Sequence, residues 1–179
     1  MGPVTGVYFY LTRPDKHEGF VPVAYGQYDP DLYPLLSKGD RIDGWSPRQL
    51  VVESDELEDY LVNNVGVRLC SSRMRDIIDR NLGPRDEVQW LEAEVTDISG
   101  TSHDYYVLHL IGGDGAVDEK RSIMVRDFVV KPVIDITKTV GRNLLTLPGG
   151  AVRFFVSDDV RGALLDAGIT GVSFHQAPS

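Results

Sequence analysis

The four histidines and the single cysteine are the residues of this sequence that most readily do chemistry near neutral pH. His103 and His109 flank a predicted β-strand, and their even separation places them on one face. They would stand about 20 Å apart, too far to share one metal ion. Asp104 follows His103, and an aspartate can orient a histidine as a general base. Because adjacent strand residues point to opposite faces, we expect His103 and Asp104 to diverge.

An enzyme with a site around His103, Asp104 and Asp118 is therefore one interpretation of the sequence, although no familiar motif supports it. The sequence contains no CxxC pair, no HExxH, no GxxxxGK[ST] and no GxSxG. The glycine-rich run 112–115 has no Lys-Ser or Lys-Thr beside it and is typical of a turn. We accordingly predict no catalytic residue, no metal site and no cofactor.

Cys70 is the only cysteine, so an intramolecular disulfide is impossible, which fits a reducing compartment. It stands at the end of a predicted strand, just before Ser71, a predicted helix N-cap. A helix N-terminus can lower the pKa of a thiol, so a nucleophilic role is one interpretation. A small buried hydrophobic side chain is the favoured one.

The charge balance narrows the class of partner. The chain of 179 residues carries 18 Lys and Arg and 27 Asp and Glu, which gives a net charge of −9. Nucleic acid is an unfavourable ligand for such a chain, whereas a basic protein partner suits it. The alternative is that the charge serves solubility alone. The sequence has neither a long apolar run nor a signal peptide pattern, so we expect no transmembrane helix and no membrane partner.

Two segments are candidates for contact with a partner. The residues from Glu53 to Asp59 are predicted to form a short acidic helix capped by Ser54, which either contacts a partner or is a plain solvated surface. The Pro- and Gly-rich segment from Thr12 to Trp45 is predicted to be irregular and held by its tyrosines, which either anchor a partner or pack on the core. The candidate residues are Tyr25, Tyr28, Tyr33, Glu53, Asp55, Glu56, Glu58 and Asp59.

One sequence pattern among the elements that position these residues occurs twice. A short apolar strand, a serine N-cap, a helix and a second strand occupy 68–90, and the same order occupies 154–174. Ser71 and Ser157 stand 86 positions apart, and at that offset apolar helix positions coincide. The two stretches are either an internal repeat or two ordinary strand–helix–strand units.

The remaining pattern predicts more strands than helices. The segments Trp90–Ile98 and Tyr105–Ile111 alternate and are separated by a turn, which predicts a hairpin. Phe128–Ile136 contains Pro132 and is predicted to be an edge or interrupted strand. Gly141–Gly150 is predicted to be a loop. The fold class is therefore α+β, a mostly antiparallel sheet with two serine-capped helices packed on it.

The order of these phrases resembles a known family. VRLCSSRMRDIID, the strand DYYVLHLIG, the stretch AVDEKRS and the closing FFVSDDVRGALLDAGITGVSF are similar to immunity protein family eleven of bacterial polymorphic toxin systems, a former domain of unknown function also described as a myxobacterial-type immunity domain. The similarity extends from Val65 to Phe174. We accordingly divide the chain into an N-terminal strand-and-loop segment, 1–64, and an immunity-like core, 65–179, within one domain.

The resemblance implies a cytoplasmic protein that binds and neutralises a cognate toxin encoded nearby. It implies no catalytic residue, and it names neither the toxin nor the oligomeric state. The candidate contact surfaces are then the acidic segment Glu53–Asp59 and the tyrosines between Tyr25 and Tyr33. A regulatory module of a larger assembly is a further alternative to the enzyme interpretation.

Overall fold

The structure is a computed structural model that describes residues 6–14, 21–112, 115–126, 128–148 and 150–179. The strands are β1 Tyr8–Thr12, β2 Val23–Gly26, β3 Arg48–Val52, β4 Tyr60–Asn63, β5 Leu69–Ser71, β6 Val88–Thr96, β7 Ser102–Leu110, β8 Ile123–Val125, β9 Phe128–Lys131, β10 Leu144–Leu147, β11 Gly150–Ser157 and β12 Ser173–Gln176. The helices are α1 Leu32–Ser37, α2 Ser72–Arg80 and α3 Asp158–Asp166, and a 3-10 turn spans Ile136–Lys138.

The strands form a closed barrel, an open sheet and a separate strand pair. The barrel has six strands in the order β2-β3-β6-β7-β5-β4, and β4 closes on β2. The open sheet has the order β10-β11-β1-β12, and β8 pairs with β9. The predicted α+β class is confirmed, and most pairings are antiparallel. The barrel was not predicted, and two of its pairings, β2 with β4 and β3 with β6, are parallel.

The barrel closes through the segment that the sequence suggested to be irregular. That segment contains β2 and α1, both too short to show a clear periodicity. Its residues 15–20 lie outside the described part of the chain. Residues before 65 contribute β1 to the open sheet and β2, β3 and β4 to the barrel. The boundary at residue 65 therefore falls between β4 and β5, two strands that pair with each other.

The two predicted strand–helix–strand units have the same topology. In the first, α2 connects β5 to β6, and β7 lies between these two strands. In the second, α3 connects β11 to β12, and β1 lies between them. The helices are capped alike: Ser71 Oγ accepts from Met74 N–H at 3.1 Å, and Ser157 Oγ accepts from Val160 N–H at 3.4 Å. Both serine caps are confirmed, and the two helices pack against each other.

Buried side chains form three clusters. One fills the barrel, with Leu50, Leu69 and Val95 among its members. A second lies between the two helices and the strands beneath them and includes Met74 and Leu164. The third covers the other face of the open sheet, where the β8–β9 pair packs with Val129 inward. The open sheet is thus buried on both faces, and the barrel encloses a core of its own.

Three further predictions can be compared with the structure. The β6–β7 hairpin is confirmed, with Val88 opposite Leu110 and Thr96 opposite Ser102. The strand predicted at Phe128–Ile136 is β9, which ends before Pro132 because proline cannot donate to a ladder. The loop predicted at Gly141–Gly150 was wrong in its centre, since Leu144–Leu147 is strand β10. Among the described residues, no helix has the length and apolar character needed to cross a membrane.

Candidate functional site

The acidic segment is not a helix, which corrects the sequence-based prediction. Ser54 Oγ accepts from Glu56 N–H at 3.0 Å, which makes a local turn instead of a helix cap. Tyr60 and Leu61 then belong to β4, whose pairing with β2 and β5 closes the barrel. The pairing requirement of that strand overrides the helical spacing of the apolar residues. Glu53, Asp55 and Glu56 are exposed, and Glu58 is half-buried.

Asp59 does not belong to the exposed surface, although the sequence placed it with its acidic neighbours. It is 9% exposed. Its carboxylate accepts from Ser71 Oγ at 2.7 Å, from Arg73 Nη2 at 2.6 Å and from Thr170 N–H at 3.0 Å. Burial opposes ionisation, but these hydrogen bonds outweigh it and hold the pKa of Asp59 below its ordinary value. Asp59 therefore joins parts of the fold and is removed from the candidate contact surface.

The three candidate tyrosines are exposed, which favours the alternative in which they contact a partner over the one in which they pack on the core. Tyr25, Tyr28 and Tyr33 are 50%, 78% and 44% exposed. Tyr25 lies on β2 and points outward because its neighbour Ala24 is inside the barrel. Tyr28 lies in the loop after β2, and Tyr33 lies in α1. An exposed tyrosine offers a large, rigid contact area, as interface anchors do.

The outer surface of the barrel brings some of these candidates together. Tyr25 stands directly opposite Val51 across β2 and β3, and Val51 is 55% exposed. Glu53 follows two positions after Val51, at the end of β3. The apolar surface of Tyr25 and Val51 therefore borders the exposed carboxylates of the 53–56 turn. Ile98, 68% exposed, joins this border, because its N–H donates to Ser54 O at 3.2 Å.

Two further carboxylates lie on the same outer surface. The parallel pairing of β3 with β6 places Gln49 beside Glu94, and the β6–β7 hairpin places Glu94 directly opposite Asp104. Ala93, Val95 and Tyr105 point into the barrel, so Glu94 and Asp104 point outward. We name the surface formed by Tyr25, Val51, Glu53, Glu94 and Asp104 the acidic barrel face.

The acidic barrel face contains no cation of its own. None of the outward positions on β2, β3, β6 and β7 is Lys or Arg. Within the part of the chain that the structure describes, no Lys, Arg or His nitrogen lies within 4 Å of the Glu53, Glu94 or Asp104 carboxylate. Like charges directly opposite each other across two strands are destabilising. Glu94 and Asp104 thus have no ion-pair partner among the described residues, although a cation lies farther along β7, where the Arg75 guanidinium is 4.1 Å from the Tyr106 ring centroid.

The sequence analysis did not place Glu94 and Asp104 on one surface with the candidate contact residues. The hairpin prediction contained the signal, because glutamate alternates with apolar residues in the stretch LEAEVT of β6. What it lacked was the parallel pairing of β3 with β6, since this brings together segments more than 40 residues apart. Tyr25 and Asp104 lie on one surface because β2, β3, β6 and β7 are consecutive neighbours in the barrel.

His103 and His109 make structural contacts, whereas His17 lies outside the described residues. His103 and Asp104 diverge as expected, since Asp104 points outward and His103 Nε2 lies 2.8 Å from Asp97 Oδ2 at the hairpin turn. His109 lies on the His103 face and is 1% exposed, with Nε2 2.6 Å from Asp40 O. Burial lowers the pKa of His109, which keeps the ring neutral.

The other groups proposed for chemistry are not assembled into a site. Burial raises the pKa of the Cys70 thiol, and its side chain has no exposed surface, which agrees with a small buried hydrophobic residue. Asp118 lines an open cavity of about 530 Å³ together with Glu119, Lys120, Asp135 and Lys138, and His103 does not line this cavity. Among the described residues, no group of three or more His, Cys, Asp and Glu side chains is arranged to hold a metal ion.

Comparison with known proteins adds no assignment. No protein-family model matches the chain, and no curated protein matches it significantly.

Proposed function

We propose that this chain is an immunity protein that binds a basic protein toxin encoded nearby and neutralises it in the cytoplasm. The contact surface in this proposal is the acidic barrel face. The observation that carries the proposal is the pair Glu94 and Asp104, two outward carboxylates directly opposite each other and unneutralised, beside the exposed Tyr25 and Val51. The resemblance of residues 65–174 to immunity protein family eleven supports the toxin as the class of partner.

The charge arrangement explains what a basic partner would gain. A Lys or Arg of the toxin placed between Glu94 and Asp104 would relieve their repulsion and form charge-assisted hydrogen bonds. The carboxylates of the 53–56 turn extend the negative potential and would steer a cationic protein toward this face. Such steering weakens with salt, because the screening length falls to about 8 Å at physiological ionic strength.

The aromatic part of the surface supplies what charge alone does not. Tyr25 and Val51 form an exposed apolar patch on β2 and β3, next to the carboxylates of the acidic barrel face. Interfaces owe most of their binding free energy to a few central aromatic or arginine contacts, surrounded by polar residues. Tyr25 would be the aromatic anchor at the β2 side of this surface, and Glu53, Glu94 and Asp104 would supply its polar contacts. Inhibition by such a surface needs no reactive group.

The test is co-expression of the chain with the protein encoded by its genomic neighbour, followed by a growth assay and a pull-down. We expect the neighbour alone to arrest growth and the pair to grow and to form a complex. A neighbour that is harmless, or that arrests growth even with the chain present, would contradict the immunity function.

A pair of variants tests the surface separately from the function. Asp104→Lys should weaken the complex by about tenfold or more, because it places a cation where the proposal puts the partner's cation. Asp166→Lys is the matched control, an exposed aspartate on α3 away from the barrel strands. If both variants protect equally well, the immunity function stands and the acidic barrel face is the wrong surface.

A further inference from the structure

The β8–β9 strand pair exposes an apolar surface that the proposed function does not use. Ile123, Val125, Phe128 and Val130 are each more than half exposed. Met124 and Val129 point the other way, toward the cluster beneath the open sheet. The pair is therefore anchored by its inner side chains, while its outer side chains contact solvent. We name Ile123, Val125, Phe128 and Val130 the hairpin face.

Basic side chains surround the hairpin face. Arg126 follows β8 and Lys131 ends β9, opposite Ile123 in the register; both are exposed. In the described part of the chain neither has a carboxylate within 4 Å. Arg153 lies nearby, since its guanidinium donates to Val130 O at 3.5 Å. Among the described residues, the charge around the hairpin face is therefore positive, although the protein as a whole is acidic.

The sequence shows the same asymmetry on a larger scale. Residues 115–153 contain seven Lys and Arg and four Asp and Glu, whereas the whole chain contains 18 and 27. The excess of acid therefore lies entirely outside the segment that contains the hairpin face. A negatively charged surface would be attracted by this segment and repelled by the rest of the molecule, and this would orient the protein on it.

We propose that the hairpin face docks on the surface of an anionic lipid bilayer. The four apolar side chains would enter the headgroup region, and Arg126 and Lys131 would contact lipid phosphates. The charge arrangement favours an anionic bilayer, because the basic segment would face the lipid phosphates while the acidic remainder of the molecule points away from them. The two valines and the lysine of this surface are residue types that protein interfaces use little, whereas apolar side chains beside Lys and Arg suit a membrane interface.

This inference revises the expectation that the protein has no membrane partner. That expectation rested on the absence of a long apolar run, which bears on segments that cross a bilayer. A surface that lies on a bilayer needs only a few exposed apolar side chains with basic neighbours. The exposure of the hairpin face was not predicted from the sequence, because the apolar residues of segment 123–131 alone could equally belong to buried strands.

The experiment is sedimentation of the full chain with vesicles of phosphatidylcholine that either contain phosphatidylglycerol or lack it. We expect binding to the anionic vesicles, weaker binding without phosphatidylglycerol, and loss of binding near 1 M salt, where the screening length is about 3 Å. Phe128→Ser and Arg126→Glu should each lower the partition coefficient, by about tenfold for Phe128→Ser. Ile98→Ser is the matched control, since Ile98 is 68% exposed and lies outside the hairpin face.

Three results would overturn the proposal. The first is equal binding to vesicles with and without phosphatidylglycerol, or none to either. The second is binding by Phe128→Ser and Arg126→Glu that equals that of the unaltered chain, with thermal unfolding showing all variants folded. The third is a dimer in sedimentation equilibrium that Phe128→Ser dissociates, because a second copy would then occupy the hairpin face. Asp104→Lys should leave vesicle binding undiminished, which separates this test from that of the proposed function.

Discussion

Two regions of the molecule share one topology, in which a helix connects two strands that have a third strand between them. In the first region α2 connects β5 to β6 with β7 between them, and in the second α3 connects β11 to β12 with β1 between them. Each begins with a further strand, β4 before β5 and β10 before β11, so the neighbour orders β4-β5-β7-β6 and β10-β11-β1-β12 correspond. The two regions differ in where the middle strand, β7 or β1, stands along the chain. In the first region β7 follows β6 along the chain, whereas in the second β1 comes from the N-terminal part. The second region, which consists mostly of C-terminal strands, is therefore completed by β1 from the N-terminal part of the chain.

The correspondence extends to the residues that precede the first strands. Ser71 N–H donates to Asp59 O at 2.7 Å, and Ser157 N–H donates to Asn143 O at 2.8 Å. Each of these residues also reaches the loop that follows the other region's helix. Asp59 accepts from Thr170 N–H after α3, and Asn143 Nδ2 donates to Asn81 O after α2. The two regions are thus fastened to each other reciprocally.

What differs is the surroundings of each region. The first is extended by β2 and β3, which close it into a barrel and create the acidic barrel face. The second stays open and is covered on one side by the β8–β9 pair, which exposes the hairpin face. The shared plan supplies the core and also the Glu94–Asp104 pair on β6 and β7. Tyr25 and Val51 on the acidic barrel face, and the whole hairpin face, come from segments added to it. A common scaffold with unlike additions is consistent with an internal repeat.

The largest effects are expected where the two regions approach most closely. A Cβ at Gly171 would clash with Tyr60 O, and a Cβ at Gly83 would lie 2.6 Å from Gly141 O. Gly171 also has a φ of +80°. We expect Gly171→Ala to lower the free energy of unfolding by about 3–5 kcal/mol, from clash and strain together, and Gly83→Ala by about 2–3 kcal/mol from the clash. Urea unfolding measures both.

Gly44→Ala is the control that separates strain from contact. Gly44 has a φ of +70° and nothing within 4 Å of a built Cβ, so strain alone should cost about 1 kcal/mol. If Gly171→Ala lowered the free energy of unfolding no more than Gly44→Ala, the loop after α3 would not approach β4 as closely as the structure shows.

The next effect tests the reciprocal contacts. Asp59→Ala should lower the free energy of unfolding by about 2–3 kcal/mol, because it leaves Thr170 N–H and Ser71 Oγ without their acceptor. The Arg73 ion pair adds at most about 1 kcal/mol, since Arg73 is half exposed. Asn143→Ala should cost about 1–2 kcal/mol, because its contact is uncharged. Equal losses would mean that the Asp59 charge contributes nothing beyond its hydrogen bonds.

Asp59 also predicts a dependence of stability on pH. Hydrogen bonds hold its pKa in the folded protein below the ordinary value of 3.8. A carboxyl with a lowered folded pKa stabilises the fold above its unfolded pKa, and that contribution is lost as the pH falls. The gap in stability between the unaltered chain and Asp59→Ala should therefore be constant near neutral pH and shrink below about pH 4. A gap that widened in acid would contradict this sign.

The sequence predicted local structure better than assembly. Ser71 and Ser157 cap helices as predicted, because capping depends on residues three positions away. Asp59 was misplaced because its partner Thr170 lies 111 positions away. The sequence identified only two residues of the acidic barrel face, Tyr25 and Glu53, as candidate contacts. It did not place Glu94 and Asp104 beside them, because that placement depends on the pairing of β3 with β6. The periodicity of apolar residues predicts single strands and helices, but it does not show which distant strands pair with each other.

The helix caps offer a smaller and more closely matched comparison. Removing either cap should cost about 1 kcal/mol, because one N–H of the first turn loses its acceptor. Ser71→Ala should cost more than Ser157→Ala, since Ser71 Oγ also donates to Asp59 at 2.7 Å. In the Asp59→Ala background the two serine substitutions should cost the same. A difference that persisted there would show that the two caps are unequal for another reason.

The smallest effect on stability distinguishes scaffold from contact surface. Asp104→Lys replaces a like-charge pair with an opposite-charge pair across β6 and β7, so it should raise the free energy of unfolding by about 0.2–1 kcal/mol. The same variant is expected to weaken binding of a basic partner. A substitution that stabilises the fold while weakening the complex would show that Glu94 and Asp104 are kept opposite each other at a cost to stability, as contact residues are. Thermal unfolding and affinity measured on one preparation decide it: a variant that is both less stable and weaker in binding would place Asp104 in the scaffold instead.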